Sequence, residues 1–286
     1  MTHYDLLCGD PSCSSLSLRG WLGFQAFNIP ARVQITRFYE AGFHDDLAPF
    51  APAKTVPVVR AADHSLWADS LTIIEELASR HPEAGLLPAD PVKRALARSL
   101  MAEMHSSFAA LRSDCPMNTR LAYEDVPISE ALAADLARID TLWAVTKETE
   151  GPWLCGDYSA ADAFYAPVAA RIAGYNLPVS ETSRNYVEAH LTHLPFRQFR
   201  ALGLTFPAQE TYKRDYSVKA WPGPKPLVAT ATSDTNAVNA ACPYSGKAVT
   251  DFLEMDGKVY GFCNPRCRDK TVNDPAAWPA FMALVR

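Results

Sequence analysis

Hydrophobic and polar positions in the first eighty residues follow two spacings, one typical of strands and one typical of helices. Short apolar or alternating runs predict strands, and runs with apolar residues on one helical face predict helices. Strands are predicted at residues 4–8, 32–36, 56–60 and 65–67, and helices at residues 14–27 and 70–80. The order strand-helix-strand, then strand-strand-helix, predicts an α/β domain with a mixed sheet and helices on both faces.

After residue 90 the spacing of apolar residues becomes purely helical. Asp90 and Pro91 suit the N-cap and the first turn of a helix, which we predict over residues 92–111. Further helices are predicted at residues 129–150 and 160–173, with two short ones within residues 187–202. An all-helical domain over residues 90–215 therefore follows an N-terminal domain of residues 1–82.

A third unit is predicted over residues 221–286. It begins with residues 221–226, where three prolines in six positions favour a linker over a helix or a strand. Residues 252–262 then alternate as a hairpin does, and Asp256-Gly257 is a favourable two-residue turn. The change in pattern indicates a small module attached to the two larger domains.

Composition narrows the possible partners. The 286 residues are 48% hydrophobic with a net charge of −5, which supports sizeable cores and argues against a nucleic-acid partner. No apolar run reaches the roughly 18 residues of a membrane span, and the first residues lack a signal-peptide pattern. Seven cysteines, an odd number, indicate reduced thiols rather than a disulfide framework, so we expect a cytoplasmic protein.

Hydroxyl side chains are concentrated between the first strand and the first helix, in the run Pro11-Ser12-Cys13-Ser14-Ser15-Leu16-Ser17. The free N–H groups and the dipole of a helix start favour a bound thiolate. Lowering a thiol pKa from about 8.5 to the mid-sixes takes about 2.7 kcal/mol, and one hydroxyl hydrogen bond to a charged acceptor supplies roughly 1.5–3 kcal/mol. Ser14 is therefore a candidate for activating a bound thiol, with plain N-capping as the alternative.

Two further positions in this domain suit a peptide-like ligand. Pro57 opens a predicted strand, where a cis bond would leave the N–H and C=O of Val56 free to pair with an extended peptide. Asp69 and Ser70 precede an apolar helix, which Ser70 can cap while its N–H holds a carboxylate. The alternatives are an ordinary trans proline and capping alone.

The order and spacing of these residues resemble the thioredoxin-like domain of glutathione transferases. The stretch from Ser14 to Arg19 is similar to the S-S-x-S-x-R motif of the zeta class and of related bacterial transferases. The resemblance implies that glutathione is the co-substrate and that Ser14 supports its thiolate. Ser15 lies in the same motif and is expected to contact glutathione.

The resemblance also implies where the rest of glutathione is held. Val56 and Pro57 correspond to the Val-cis-Pro that pairs with the backbone of the tripeptide. Asp69 and Ser70 correspond to the acidic-Ser pair that binds the γ-glutamyl end. These relatives usually carry Gly-Lys or Gly-Arg before the Val-Pro, whereas this sequence has Lys54-Thr55.

The helical half of the chain extends the resemblance to about residues 4–215. Ser159 and Asp162 are similar to the capping box that stabilises the core of glutathione transferases, so we expect a structural role for them. His105 and Arg112 are seven residues apart and are predicted on one face of a helix that borders the electrophile pocket in this fold. They are expected to bind an acidic substrate, with an interdomain hydrogen bond as the alternative.

Cys13 is the rival of Ser14 for the chemistry. A thiol at a helix start can be reactive, and omega-class relatives use a cysteine in this region. A cysteine would give glutathione-dependent reduction rather than conjugation. A dithiol mechanism is not expected, because Leu16 occupies the fourth place of a C-x-x-C motif.

The C-terminal module carries three cysteines, Cys242, Cys263 and Cys267, around the predicted hairpin. Thiolates brought together at such spacing can share a soft metal. The pattern resembles TRASH and YHS modules, which are small treble-clef-like metal-binding units. Ser245 stands where many of those relatives carry a second cysteine. The resemblance implies bound zinc or copper, and the alternative is a clef without metal, held by its apolar core.

Together these observations favour a glutathione-transferase-fold enzyme that activates the glutathione thiol for attack on a small electrophile. The resemblance implies a homodimer and leaves conjugation, isomerisation and reduction open. The alternative function is a metal- or redox-responsive binding protein that uses the transferase fold as a scaffold. The glutathione-site residues favour the enzyme, and the three cysteines support the alternative.

Overall fold

The computed structural model describes residues 3–285 and begins with the predicted α/β domain. Its elements are β1 (Tyr4–Cys8), α1 (Ser15–Gln25), β2 (Arg32–Ile35), α2 (Gly42–Leu47), β3 (Val58–Ala61), β4 (Leu66–Ala68) and α3 (Ser70–Arg80). The strands form one sheet in the order β2-β1-β3-β4, in which β1 and β2 are parallel and the other neighbours antiparallel. The predicted mixed sheet is confirmed, and the short helix α2 is an element that the sequence pattern did not indicate.

The second domain is helical, with one small sheet. Its elements are α4 (Pro91–Ser106), α5 (Ala109–Asp114), β5 (Ala122–Tyr123), α6 (Glu130–Trp143), α7 (Ala160–Gly174), α8 (Glu181–Thr192), α9 (Leu194–Gly203) and β6 (Val218–Lys219). Helix α7 is buried along nearly its whole length and contacts α1, α4 and α8, so it links the two domains. Within residues 3–285, none of the helices combines the length and apolar character that a membrane crossing requires.

The helix predicted over residues 92–111 is interrupted. Helix α4 ends at Ser106, and Phe108 takes a left-handed conformation with φ of 63° before α5 begins. Helix α6 is also shorter than predicted, and α8 begins earlier, at Glu181, because the side chain of Ser180 caps it. The break at Phe108 places the two halves of the predicted helix on separate elements.

The capping box predicted at the start of α7 is confirmed. The N–H of Ser159 donates to the carboxylate of Asp162 at 2.8 Å, and the reciprocal bond of the motif is also present. Asp162 is fully buried and accepts three more hydrogen bonds, from the Ser159 hydroxyl at 3.0 Å, the Leu154 N–H at 3.0 Å and the Tyr186 hydroxyl at 2.8 Å. Asp162 therefore ties α7 to the preceding loop and to α8, which is a structural role.

The tail after the linker folds as a three-stranded sheet with two helices. Its elements are β7 (Thr230–Thr232), β8 (Asp251–Met255), β9 (Lys258–Phe262), α10 (Pro265–Asn273) and α11 (Pro279–Val285). The predicted hairpin is confirmed, since Asp256 and Gly257 both have positive φ, 51° and 72°, as a type I′ turn requires. The Phe281 ring packs 5.1 Å from the ring of Tyr260 and 5.9 Å from that of Phe262.

The tail packs against helix α9 of the helical domain. Arg197 on α9 makes a bidentate ion pair with Asp274, with N–O distances of 2.9 and 2.6 Å, and both side chains are largely buried. Gln198 donates to the carbonyl of Ala277 at 2.8 Å. The tail is thus attached to the first two domains by a buried ion pair as well as by the linker.

Helix α9 also contacts the N-terminal domain. A Cβ atom added at Gly203 would lie 2.7 Å from the backbone nitrogen of Ser12, so the helix approaches that loop as closely as glycine allows. The ring of Phe199 lies 5.7 Å from that of Trp21, whose indole N–H donates to the carbonyl of Pro195 at 3.2 Å. One helix therefore contacts both the tail and the loop that precedes α1.

A buried cluster of histidine and aromatic side chains involves helix α8. His190 is fully buried, and neither of its ring nitrogens has a hydrogen-bond partner among the described residues. Its ring lies 4.6 Å from that of Tyr186, and the ring of His193 lies 4.3 Å from that of Tyr158. Burial lowers the pKa of His190 well below its usual range and the pKa of His193 to about 4.

We expect these two histidines to make the fold sensitive to acid. Unfolding exposes them to water, where they take up a proton near pH 6.5, whereas folded His193 stays neutral down to about pH 4. As pH falls from about 6.5 towards 4, the unfolded state binds more protons than the folded state does. The free energy of unfolding should therefore decrease, by more than about 1 kcal/mol. Urea denaturation at several pH values measures the decrease. The decrease should be smaller in His190→Phe than in the control His44→Phe, which changes an exposed histidine. Equal decreases in the two variants would contradict the assignment of acid sensitivity to the buried histidines.

Candidate functional site

The loop between β1 and α1 presents Ser14 at the start of a helix. The buried carboxylate of Asp10 shapes this loop by accepting hydrogen bonds from the Ser12 N–H at 2.8 Å and the Ser12 hydroxyl at 2.6 Å. Ser14 is the N-cap residue of α1, yet its hydroxyl makes no capping bond and donates instead to the hydroxyl of Ser17 at 2.8 Å. The plain N-capping alternative therefore does not describe the side chain of Ser14.

A cavity of about 450 Å³ opens beside Ser14. Its walls come from the Ser14 loop, from the loops around α2 and β3, from α5 and α7 and from the chain after α9. It is lined by Cys13, Ser14, Ser15, Leu16, Phe38, Tyr39, Phe43, Lys54, Thr55, Val56, Arg112, Pro116, Met117, Arg171 and Tyr212. The structure thus brings Ser14, Ser15 and Val56 together, and Val56-Pro57 is a cis peptide bond as expected.

Asp69 and Ser70 lie outside the lining of this cavity. Asp69, with φ of 78°, caps α3 by accepting a hydrogen bond from the Leu71 N–H at 2.7 Å, so the cap is Asp69 and not Ser70 as predicted. The hydroxyl of Ser70 is buried and has no hydrogen-bond partner among the described residues. The imidazole Nε2 of His105 lies 3.8 Å from the carboxylate of Asp69. His105 is therefore placed beside Asp69 rather than in the cavity.

Cys13 is buried in the same loop, with 7% of its surface exposed. Burial and the neighbouring carboxylate of Asp10 raise the pKa of the Cys13 thiol to about 12. Reactive cysteines at helix starts have a lowered pKa instead. This environment disfavours a Cys13 thiolate near neutral pH, and with it the mechanism in which Cys13 replaces Ser14.

Arg112 lines the cavity, but it does not share a helix face with His105. Because the chain breaks at Phe108, Arg112 lies on α5 and its guanidinium folds back onto the end of α4. There it donates to the carbonyls of Ser107 and His105, each at 3.0 Å, and to that of Met104. The prediction of one shared face was wrong, since it assumed an unbroken helix over residues 92–111.

Three lining residues, Arg171, Tyr39 and Tyr212, were not predicted from the sequence. Arg171 is buried in α7 and donates to the Cys115 carbonyl at 2.9 Å, and burial lowers its pKa to about 10. The available signal for Arg171 was its position as the single basic residue of a helix that is apolar apart from Asp162 near its start. Tyr39 lies in a turn and Tyr212 at the end of the 3-10 helix Glu210–Tyr212, and neither short segment has a spacing that indicates what a side chain faces.

The three cysteines of the tail form a second candidate site. The sulfur atoms of Cys242, Cys263 and Cys267 lie within 4.8 Å of one another. The hydroxyl of Ser245 donates to the Cys263 sulfur at 3.2 Å, so Ser245 is next to the cluster, as its place in the motif predicts. The Asn264 amide also donates to this sulfur, at 3.2 Å.

The surroundings of the cluster favour negative charge on one of its sulfurs. Burial opposes ionisation of Cys242, but hydrogen bonds from the N–H groups of Tyr244 and Cys263 and from Ser245 outweigh it and lower its pKa to about 7. Burial instead raises the pKa of Cys267 to about 11, although the positive charge of Lys270 acts in the opposite direction. A soft metal ion that displaced the remaining thiol protons would have three sulfur donors here.

Comparison with known proteins bears on the N-terminal domain. Residues 13–80 match the family described as "Glutathione S-transferase, N-terminal domain". A curated relative, Protein IN2-1 of Zea mays, is 30% identical over 121 residues. That match covers 42% of this chain and 46% of the relative, so the chain spans about half the length of the curated protein.

Several solved structures have a similar fold. A glutathione transferase homologue from a Burkholderia, with bound glutathione, has a TM-score of 0.54 and 20% identity, covering 72% of this chain and 100% of its own. A maleylacetoacetate isomerase from Anaeromyxobacter dehalogenans has a TM-score of 0.51 and 23% identity, covering 76% and 94%. Glutathione transferase Omega 3C from Trametes versicolor has a TM-score of 0.54 and 21% identity, covering 73% and 91%. These likenesses show that the chain has the same fold as these proteins, and residues 13–80 match the N-terminal domain of the glutathione S-transferase family.

Proposed function

We propose that this protein is a glutathione-dependent enzyme that activates the thiol of glutathione for attack on a small electrophile. The observation that carries the proposal is the cavity in which Ser14 and Ser15 meet Val56, beside a cis proline. A fold shared with structures that hold glutathione supports the choice of ligand. Conjugation, isomerisation and reduction all begin with this activated thiol.

Glutathione is proposed to lie along the cavity with its peptide backbone against Val56. The N–H and C=O of Val56 supply a donor and an acceptor for an extended chain, as a strand edge does. Lys54 and Thr55 line the same wall, so the lysine is available to the glycyl carboxylate although the usual Gly-Lys order is absent. Asp69 is proposed to bind the γ-glutamyl ammonium, and the N–H of Ser70 its carboxylate.

Ser14 is proposed to stabilise the thiolate. Its hydroxyl turns from Ser17 to the sulfur and donates a hydrogen bond, while the first N–H groups of α1 add their partial positive charge. The thiol proton leaves to solvent, and the thiolate lone pair forms a carbon–sulfur bond with the electrophile. The electron pair displaced from the attacked carbon moves to a leaving group or to an adjacent acceptor.

The cationic side of the cavity suits an acidic substrate. Arg112 and Arg171 both line the cavity and donate mainly to backbone carbonyls. Neither guanidinium forms an ion pair with a carboxylate within residues 3–285. We propose that Arg112 attracts a carboxylate of the substrate. His105 is proposed to act through Asp69, since the two side chains lie 3.8 Å apart.

The cytoplasmic location and the homodimer expected from the resemblance also stay proposals. The seven cysteines are all unpaired, which suits a reducing compartment. Light scattering on the purified full chain tests the dimer.

Replacing Ser14 by alanine should raise the pKa of bound glutathione. The lost hydrogen bond of roughly 1.5–3 kcal/mol should slow conjugation near neutral pH by about 10- to 100-fold. The pH–rate profile with a chloronitrobenzene probe measures both effects, and Ser99→Ala, at an exposed position on α4, is the control. An unchanged profile in Ser14→Ala, together with lost activity in Cys13→Ala, would transfer the chemistry to Cys13.

Replacing Asp69 by asparagine should weaken glutathione binding by about 1–3 kcal/mol, because a charge-assisted bond is lost. Asparagine is as good an N-cap as aspartate and tolerates positive φ, so helix α3 should stay intact. Calorimetric titration with glutathione measures the affinity, and thermal unfolding checks the fold. Equal affinity in the variant and the wild type would remove Asp69 from the γ-glutamyl site.

A second candidate function is metal or redox response by the tail. The observation that favours it is the group of three sulfurs that lie within 4.8 Å of one another. Cys267 lies in the first turn of α10, and Cys263 directly precedes Asn264, the N-cap of that helix. The three thiolates of this cluster are proposed to bind zinc or Cu(I), whereas structural zinc sites usually have four ligands. Ser245 supplies a hydroxyl in the fourth place and leaves the proposed site weaker than a four-cysteine clef.

Replacing Ser245 by cysteine should tighten zinc binding, because it completes a tetrahedral thiolate set. Replacing Ser245 by alanine, the control, removes the hydroxyl and should not tighten binding. Competition with a chromophoric chelator measures zinc affinity in the full chain. Absence of zinc and of Cu(I) from wild type and Ser245→Cys alike, with unchanged thermal stability on chelation, would leave a clef without metal.

A further inference from the structure

Helix α9 lies between the tail and the loop that precedes α1. Arg197 on this helix forms an ion pair with Asp274 of the tail. The Asn273 amide of the tail donates to the Ala201 carbonyl of the same helix at 3.1 Å. At the end of the helix, Gly203 abuts the loop before α1. The tail therefore contacts the same helix that contacts the loop of the proposed glutathione site.

One aromatic ring just after α9 is close to two cations from different domains. The guanidinium carbon of Arg266, in the first turn of α10, lies 5.1 Å from the centre of the Phe206 ring. The guanidinium carbon of Arg37, from the loop after β2, lies 5.8 Å from the same centre. Both distances are within the range of cation–π attraction, about 6 Å. Phe206 thus joins the tail to the N-terminal domain.

Arg37 is also held by polar contacts around this ring. Its side chain is only 13% exposed, and it donates to the Pro207 carbonyl at 3.2 Å. Its Nη2 atom lies 4.0 Å from Oδ2 of the buried carboxylate of Asp10. That oxygen has no hydrogen-bond partner among the described residues. Arg37 therefore supplies positive charge opposite a carboxylate oxygen that no hydrogen bond satisfies.

The place of Arg37 matters to the glutathione site because Asp10 shapes the turn before α1. The other carboxylate oxygen of Asp10 accepts both hydrogen bonds from Ser12, and its carbonyl accepts the Ser14 N–H at 2.8 Å. A buried carboxylate is costly when its charge is poorly compensated. Displacement of Arg37 should therefore loosen this turn and move the Ser14 hydroxyl from its position at the helix start.

We propose that Arg266 of the tail is a positioning residue of the glutathione site, acting through Phe206 on Arg37 and so on the turn that carries Ser14. The inference rests on the proposed function and adds that the tail belongs to the framework of the site. Arg266 does not line the cavity, so it acts only through these contacts. Because it directly precedes Cys267, the same contacts connect the cysteine cluster with the glutathione site.

Replacing Arg266 by alanine tests the proposal on an exposed side chain of the full chain. Glutathione affinity should fall about two- to fivefold, since a cation–π contact at an exposed site contributes that much. The pKa of the bound thiol should rise, by less than in Ser14→Ala. Calorimetry measures the affinity, and the ultraviolet absorbance of the bound thiolate, titrated with pH, measures the pKa. Arg266→Lys keeps the cation and should restore most of both values.

The control is Lys258→Ala, which removes a positive charge from the exposed start of β9, at the other end of that strand from α10. It should change neither the affinity nor the thiol pKa. Thermal unfolding of every variant checks the fold, so that a loss of stability is not mistaken for a loss of positioning.

Variants of Phe206 test the path. Phe206→Leu removes the ring and should weaken glutathione binding more than Arg266→Ala does, whereas Phe206→Tyr keeps the ring and should bind as the wild type. Adding Arg266→Ala to Phe206→Leu should have no further effect, because both act through one contact.

The outcomes separate the two proposals. A wild type that does not bind glutathione would overturn the proposed function. If the wild type binds glutathione, three results would each overturn the positioning role alone: equal affinity in Arg266→Ala, a loss of affinity that leaves the thiol pKa unchanged, or a further loss in the double variant.

Discussion

The buried carboxylate of Asp10 holds together the loop on which the proposed glutathione site depends. It accepts two hydrogen bonds from Ser12, while the Asp10 carbonyl accepts one from the Ser14 N–H at 2.8 Å, so the chain turns sharply before α1. The guanidinium of Arg37 lies 4.0 Å from the same carboxylate and also donates to the Pro207 carbonyl at 3.2 Å. Loss of this one carboxylate would leave buried donors of Ser12 without partners and would loosen the turn that positions Ser14.

The sequence was most informative where the regular spacing of apolar residues, or an interaction between residues a few positions apart, determines the local structure. Strand β1 and helix α3 follow from regular apolar spacing, and the hairpin turn at Asp256-Gly257 follows from the positive φ that a type I′ turn demands. The capping box at Ser159 and Asp162 is also a local rule, since both partners lie within one helical turn. These features need no knowledge of distant parts of the chain.

Features that depend on distant contacts were harder to predict. The break at Phe108 has no glycine or proline to mark it, and it places Arg112 on α5 instead of on one helix with His105. The thiol of Cys13 looks reactive in sequence because it precedes a helix, yet burial beside Asp10 raises its pKa. Tyr212 reaches the site from almost two hundred residues along the chain, and only the folded path of the segment after α9 brings it there.

Helix α9 gives the tail a firmer attachment than the proline-rich linker suggests. The ion pair between Arg197 and Asp274 is largely shielded from water, and the same helix abuts Ser12 through Gly203. A protease cut within residues 221–226 would therefore leave a nicked protein whose two fragments still migrate together in a native gel. Only a denaturing gel would reveal the cut, so co-migration under native conditions would say nothing about whether the linker itself is intact.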